Sequence, residues 1–136
     1  MEENLKQLLL KDLCARLPSY VKAKDKGGAI ITICAYHPYG IIDNYGIMHN
    51  VSNIKPYLFP MSSMTDEQKS YMHFNTKFNI DRFETITLKI DEDDSPMYVE
   101  MEDWLALFDW FNKNHFDYRG LIEKGLALDA TGLNIY

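Results

Sequence analysis

Four histidines, two cysteines and twenty acidic residues are the raw material from which this 136-residue chain could build a reactive site. His37, His49, His73 and His115 stand at no metal-ligand spacing from one another or from Cys14 and Cys34. No His-Glu-x-x-His run and no Cys-x-x-Cys pair occurs, so no metal site is expected. His37, before Pro38, reads as a turn residue, and His115 as a cation near a helix C-terminus, where the helix dipole favours positive charge. The acidic run Asp91, Glu92, Asp93, Asp94 has the charge to attract calcium. An EF-hand loop, however, needs glycine at its sixth position, where Pro96 stands. The run reads instead as a solvated hairpin loop, an acidic surface that discourages edge-to-edge strand pairing. Ser62 and Ser63 precede a helix start and suit helix capping better than nucleophilic attack. No Gly-x-Ser-x-Gly elbow, phosphate-binding glycine loop or carboxylate pair at a useful spacing accompanies them. The expectation is a protein that is not an enzyme and uses no cofactor.

What the chain does offer is surface for binding. Tyr36, Tyr39, Tyr45 and Tyr57 fall at or near turns and strand ends. Such tyrosines can stack on bases or grip a peptide, or serve as half-buried core residues with wet hydroxyls. Lys22, Lys24 and Arg119 could add phosphate contacts. Charge is uneven: residues 1–60 carry seven Lys/Arg against five Asp/Glu, and residues 61–136 carry seven against fifteen. A chain of net charge −6 is repelled by nucleic acid at long range, so nucleic acid is a disfavoured partner.

These residues must be carried by a small number of elements. Hydrophobic residues make up 46% of the chain, enough for a real core, and no apolar run is long enough for a transmembrane helix. The start, "MEENLKQLLLKDLC", lacks the basic-then-apolar plan of a secretion signal. Cys14 and Cys34 read as reduced packing residues of a cytosolic protein. One domain, 1–136, is expected in three parts. Residues 1–18 hold a helix, with Leu5, Leu9, Leu13 and Leu17 on one face and Pro18 at its end. Residues 19–60 hold four or five short strands separated by turns at Lys26-Gly27-Gly28, Pro38-Tyr39-Gly40 and Asn44-Tyr45-Gly46. They suggest a small antiparallel, SH3-like barrel. Residues 61–136 hold a helix capped by Thr65 and Gln68, with Tyr71, Phe74 and Phe78 on one face. A hairpin over 83–101 and a helix from about Glu102 to Asn114 follow, the latter with Trp104, Leu107, Phe108, Trp110 and Phe111 as its apolar stripe. The class is α+β.

The segment "NHFDYRGLIEKGLALDATGLNIY", 114–136, holds one short helical turn between two glycines and then an alternating run. Leu121, Ile122, Leu126, Leu128, Leu133, Ile135 and Tyr136 would be costly to leave in water, at about 1.5–3 kcal/mol for each large aliphatic. The segment should therefore dock, either on its own chain or on a partner subunit. Together with "LLLKDLCARLP" and "IKPYLFPMSSMTDEQK", it resembles a group of small proteins encoded by phages and prophages of gut bacteria. The resemblance implies a viral protein in the host bacterial cytoplasm and brings no activity, cofactor or site residue with it. Three expectations follow. The first is an accessory protein that binds a host protein, in its specific form an inhibitor of a host defence system. The second is a homo-oligomer that sequesters a small nucleotide ligand. The third is an SH3-like nucleic-acid-binding module.

Overall fold

The computed structural model describes residues 1–136 and turns the four-residue leucine spacing into helix α1, Glu3–Arg16. Leu9 and Leu13 are fully buried, while Leu5, Leu8, Leu10 and Leu17 pack at the margin of the same core. Pro18 sits inside a 3-10 turn, Leu17–Ser19, that ends at Tyr20 in left-handed backbone with φ 52°. Five strands follow: β1 Lys22–Lys24, β2 Ile30–His37, β3 Gly40–Asp43, β4 Met48–His49 and β5 Lys55–Pro60. Alternation puts Ile31 and Ile33 of β2 into the core. The β2–β3 register then shifts between Ile33 and Ala35, which changes the facing of what comes after. Tyr36 now lies opposite the buried Ile41, on the core side of the sheet. Gly40 opens β3 because a Cβ there would run into the His49 carbonyl oxygen.

One turn design recurs. Asp25, Asp43, Asp81 and Asp91 each begin a tight turn in which their backbone N–H donates to the carbonyl four residues on. In each, one carboxylate oxygen accepts the N–H of that same fourth residue, at 2.8–3.3 Å. The residue three after the Asp takes positive φ: Gly28, Gly46, Glu84 and Asp94. This is the three-residue hairpin loop with a left-handed bulge residue, which favours glycine.

Helix α2, Asp66–Asn75, has the expected capping box: Thr65 Oγ1 accepts from Gln68 N at 3.1 Å, and Thr65 N donates to Gln68 Oε1 at 2.8 Å. Its buried residue is Met72, however, and not the expected aromatic face; Phe74 is 77% exposed, and Phe78 has left the helix for strand β6, Phe78–Ile80. The hairpin also starts earlier than expected. Strand β7, Ile86–Leu88, pairs back with β6, while residues 97–100 form no strand. The acidic run closes a second turn, bridged at Ile90 and Pro96. Helix α3, Met101–Lys113, then buries Leu107, Phe111 and Asn112. Strands β8, Phe116–Asp117, and β9, Leu128–Asp129, both run parallel to β5.

The sheet is therefore mixed and not purely antiparallel, with the path β4-β3-β2-β1-β5-β8 and β9 also on β5. Its end strands do not pair with each other, so no closed barrel is formed. The expected helical turn between Gly120 and Gly125 is replaced by hydrogen-bonded turns in which the Asp117 carboxylate accepts from Leu121 N and Ile122 N at 2.8 and 2.9 Å. Two cores result. The larger joins α1 to the sheet and takes Leu121, Leu126 and Ala127 from the C-terminal segment. The smaller gathers Met64, Met72, Phe78, Leu107, Phe111 and Phe116. The segment thus docks on its own chain, although Leu133 stays half exposed.

Candidate functional site

The seven residues expected to bind a ligand do not converge. Tyr57 is 8% exposed within β5. Lys22 Nζ reaches Thr32 Oγ1 at 3.4 Å. Lys24 lies beside Asp25 and Lys55, and Tyr45 stands on the β3–β4 turn, well exposed. Arg119 is engaged with a buried carboxylate. Only Tyr36 and Tyr39 line one depression together. Cys14 and Cys34, expected as packing residues, are free and exposed. Asp91 is consumed by its own turn, whereas Glu92, Asp93 and Asp94 remain in solvent.

A different site assembles where the C-terminal end of α1 meets α3. Four residues on from Leu8 and Leu9, the helix carries Asp12 and Leu13, and Asp12 is completely buried with Arg16. The pair is two-pronged: Arg16 Nε to Asp12 Oδ2 is 2.7 Å and Arg16 Nη2 to Asp12 Oδ1 is 3.2 Å. Arg16 Nη2 also donates to the Phe116 carbonyl at 2.6 Å, while Nη1 is buried without a partner. Arg119 adds its Nε to Asp12 Oδ1 at 3.1 Å. Tyr118 has both guanidinium groups 5.1 Å from its ring centre and donates its hydroxyl to Asn112 Oδ1 at 2.9 Å. Burial of these charges is tolerable because each has a partner, and the cluster ties α1, α3 and β8 into a fixed frame.

Above this frame runs an open groove. One part, of about 610 Å³, is lined by Ala15, Leu105, Phe108, Asp109, Tyr118 and Arg119. Another, of about 580 Å³, shares Ala15, Asp109 and Asn112 and continues to Tyr20 and Lys113. On α3 the residues Met101, Leu105 and Phe108 follow helical spacing, so one face carries an apolar stripe. Met101 is 71% and Leu105 56% exposed, which makes this an unpartnered helix face and not core. The stretch of chain that carries it is acidic: residues 61–113 hold five Lys/Arg against twelve Asp/Glu. Phe74, Phe83, Ile90 and Tyr98 are further exposed apolar side chains of the same acidic stretch.

Two further ring-centred contacts sit elsewhere. Burial opposes ionisation of Asp43, yet the His49 ring at 2.7 Å and the Ile47 and Tyr45 N–H groups hold its carboxyl below the ordinary range. His115, expected as a helix-end cation, is the reverse. Burial first, then the charges of Arg16 and Lys22, push it down to about 4, and its Nδ1 has no partner. Its ring stacks on Tyr136, centroids 3.7 Å apart. The Tyr136 hydroxyl donates to the Tyr57 carbonyl at 2.6 Å and accepts from Lys22 N at 2.9 Å. That places it where the β1–β5 ladder would next have paired Lys22 with Tyr57. Helical i,i+4 spacing marks Asp12 with Arg16, but no spacing rule marks the place of Arg119 in that cluster or the Tyr136 clasp; both need residues about a hundred positions apart.

No group of three or more His, Cys, Asp or Glu side chains is placed to hold a metal ion, and no helix is long and apolar enough to cross a membrane. No protein-family model, curated protein or solved structure matches the chain.

Proposed function

We propose that the protein acts by binding and not by catalysis, docking the α3 face and its acidic surroundings onto a basic surface of a host protein. The observation that carries this reading is the stripe of exposed Met101 and Leu105, continued by half-buried Phe108, set in a stretch of net charge −7. Exposed apolar stripes rimmed by charge mark docking faces, and a negative rim selects a positive partner. The phage resemblance supplies the setting: an accessory protein in the cytoplasm of a host bacterium, in its specific form an inhibitor that occupies the nucleic-acid-binding surface of a defence protein. The strand path from β4 to β5, with a 3-10 turn at Val51–Asn53 before β5, supports the reading of the first half as an SH3-like platform. For the nucleotide-sequestering oligomer, Tyr57 and Arg119 are occupied in the fold, whereas Tyr36, Tyr39 and Tyr45 stay open to solvent.

The test is affinity purification from a host lysate, followed by titration of the purified partner. Affinity should fall steeply as salt rises from roughly 50 to 500 mM, because charges outside direct contact are screened. Leu105→Glu should abolish the complex without lowering the melting temperature. A complex indifferent to salt and to Leu105→Glu rejects the reading.

A further inference from the structure

A second groove, sharing no residue with the first, lies between α1 and the β2–β3 corner. Its larger part, about 770 Å³, is lined by Asn4, Gln7, Leu8, Leu10, Lys11, Cys14 and Tyr36. Its smaller part holds Lys6, His37, Pro38, Tyr39 and Asn50, and shares Leu10 and Tyr36 with the larger. The volume of the larger part suits a small organic ligand. Composition is the informative feature. In a chain where acids outnumber bases twenty to fourteen, neither part of this groove is lined by an Asp or Glu, and both parts carry a lysine.

Neither Lys6 nor Lys11 has an ion-pair partner; the four pairs in the molecule use other cations. The register shift in β2 turns Tyr36 toward α1, where its half-exposed ring borders both parts of the groove. Tyr39, 83% exposed, stands beside His37 with ring centroids 5.3 Å apart, and its N–H donates to His37 Nδ1 at 3.2 Å. On the groove wall Asn4 Oδ1 accepts from Leu5 N and Gln7 Nε2 donates to Glu3 Oε1, which leaves the Asn4 amide N–H groups and the Gln7 carbonyl oxygen for a ligand. A planar ring surface, two free ammonium groups and side-chain amides around an apolar floor match one chemistry: an aromatic base joined to phosphate.

We propose that this groove binds a nucleoside phosphate, with the base stacked on Tyr36 and the phosphates held by Lys6 and Lys11. This site is independent of the protein-docking face, and either can fail without the other.

The experiment is isothermal titration of the full chain with ATP, GTP, CTP and UTP in turn, with adenosine and inorganic phosphate as separate arms. Saturable binding of at least one triphosphate is expected, with adenosine and phosphate each weaker. Lys6→Gln with Lys11→Gln should weaken it by about tenfold or more at unchanged melting temperature, the equivalent of one lost charge-assisted contact or more. Tyr36→Ala should weaken it by about the same factor. If Tyr36→Ala fails to fold, the lysine variant, which breaks no ion pair, still decides. No saturable binding up to roughly 1 mM of any triphosphate overturns the proposal. So does binding that both variants leave unchanged.

Discussion

Asp12 is the residue on which most buried charge converges. It is wholly buried and pairs with two arginines, one of them also wholly buried. Asp12→Ala would leave Arg16 without its counter-charge, a change expected to cost about 3–5 kcal/mol in urea denaturation. Tyr136→Phe tests the clasp more gently: it keeps the ring on His115 and removes the hydroxyl that bridges Lys22 and Tyr57. A loss of about 1–2 kcal/mol is expected, with the larger value if the Tyr57 carbonyl is left dry. His115 sets a pH dependence. Folding holds its ring neutral down to about pH 4, against an ordinary value of 6.5, so the unfolded chain binds the extra proton first. Stability from this group is complete above pH 6.5 and drains away as pH falls toward 4. His115→Phe should flatten the denaturation free energy over that window; an unchanged slope would show that His115 titrates freely in the fold.

At the scale of elements, the repeated Asp turn makes a directional prediction. Gly28 and Gly46 fill the left-handed position in two of the turns, but Glu84 and Asp94 fill it in the others, with φ of 63° and 61°. A side chain in that conformation costs about 1–2 kcal/mol, part of which glycine returns through unfolded-state entropy. Glu84→Gly and Asp94→Gly should each raise stability by about 0.5–1 kcal/mol, read as a higher urea midpoint with the same slope. The turn signal, Asp followed three residues later by Gly, was already present at Asp25 and Asp43 in the sequence. It was obscured at Asp81 and Asp91 because Glu84 and Asp94 stand in the glycine position. For that reason the sequence pattern points to a hairpin one strand further along than the structure has it. A second reason is that residues 97–101 alternate as a strand would, yet β7 finds its partner in β6, only five residues back across a tight turn.

For the whole molecule, the C-terminal segment links the two cores. Phe116 belongs to the smaller core, whereas Leu121, Leu126 and Ala127 belong to the larger. Deleting residues 126–136 removes β9, three buried side chains and the Tyr136 clasp together. A broad, low-temperature melt in place of a cooperative one is expected by circular dichroism. The β6–β7 hairpin stands outside the main sheet, so its amides should exchange with deuterium before those of β2 and β5. Equal protection of the two would mean that the cores unfold as one unit.

The element inventory and the α+β class were legible because they rest on local chemistry. Leucines at helical spacing made α1, β-branched alternation made β2, and Thr65 with Gln68 capped α2. Of the residues that the sequence offers for binding, Tyr36 and Tyr39 share a groove, whereas Tyr57 is buried in β5 and Arg119 pairs with Asp12. Tertiary structure alone decided which faces remain open, that the sheet is mixed and unclosed, and that Asp12, Arg16 and Arg119 share one buried charge cluster. The reason is physical. Local propensity depends on neighbours a few residues away, whereas burial and charge pairing depend on which distant segment wins the contact, as Arg119 does with Asp12 and Tyr136 with Lys22.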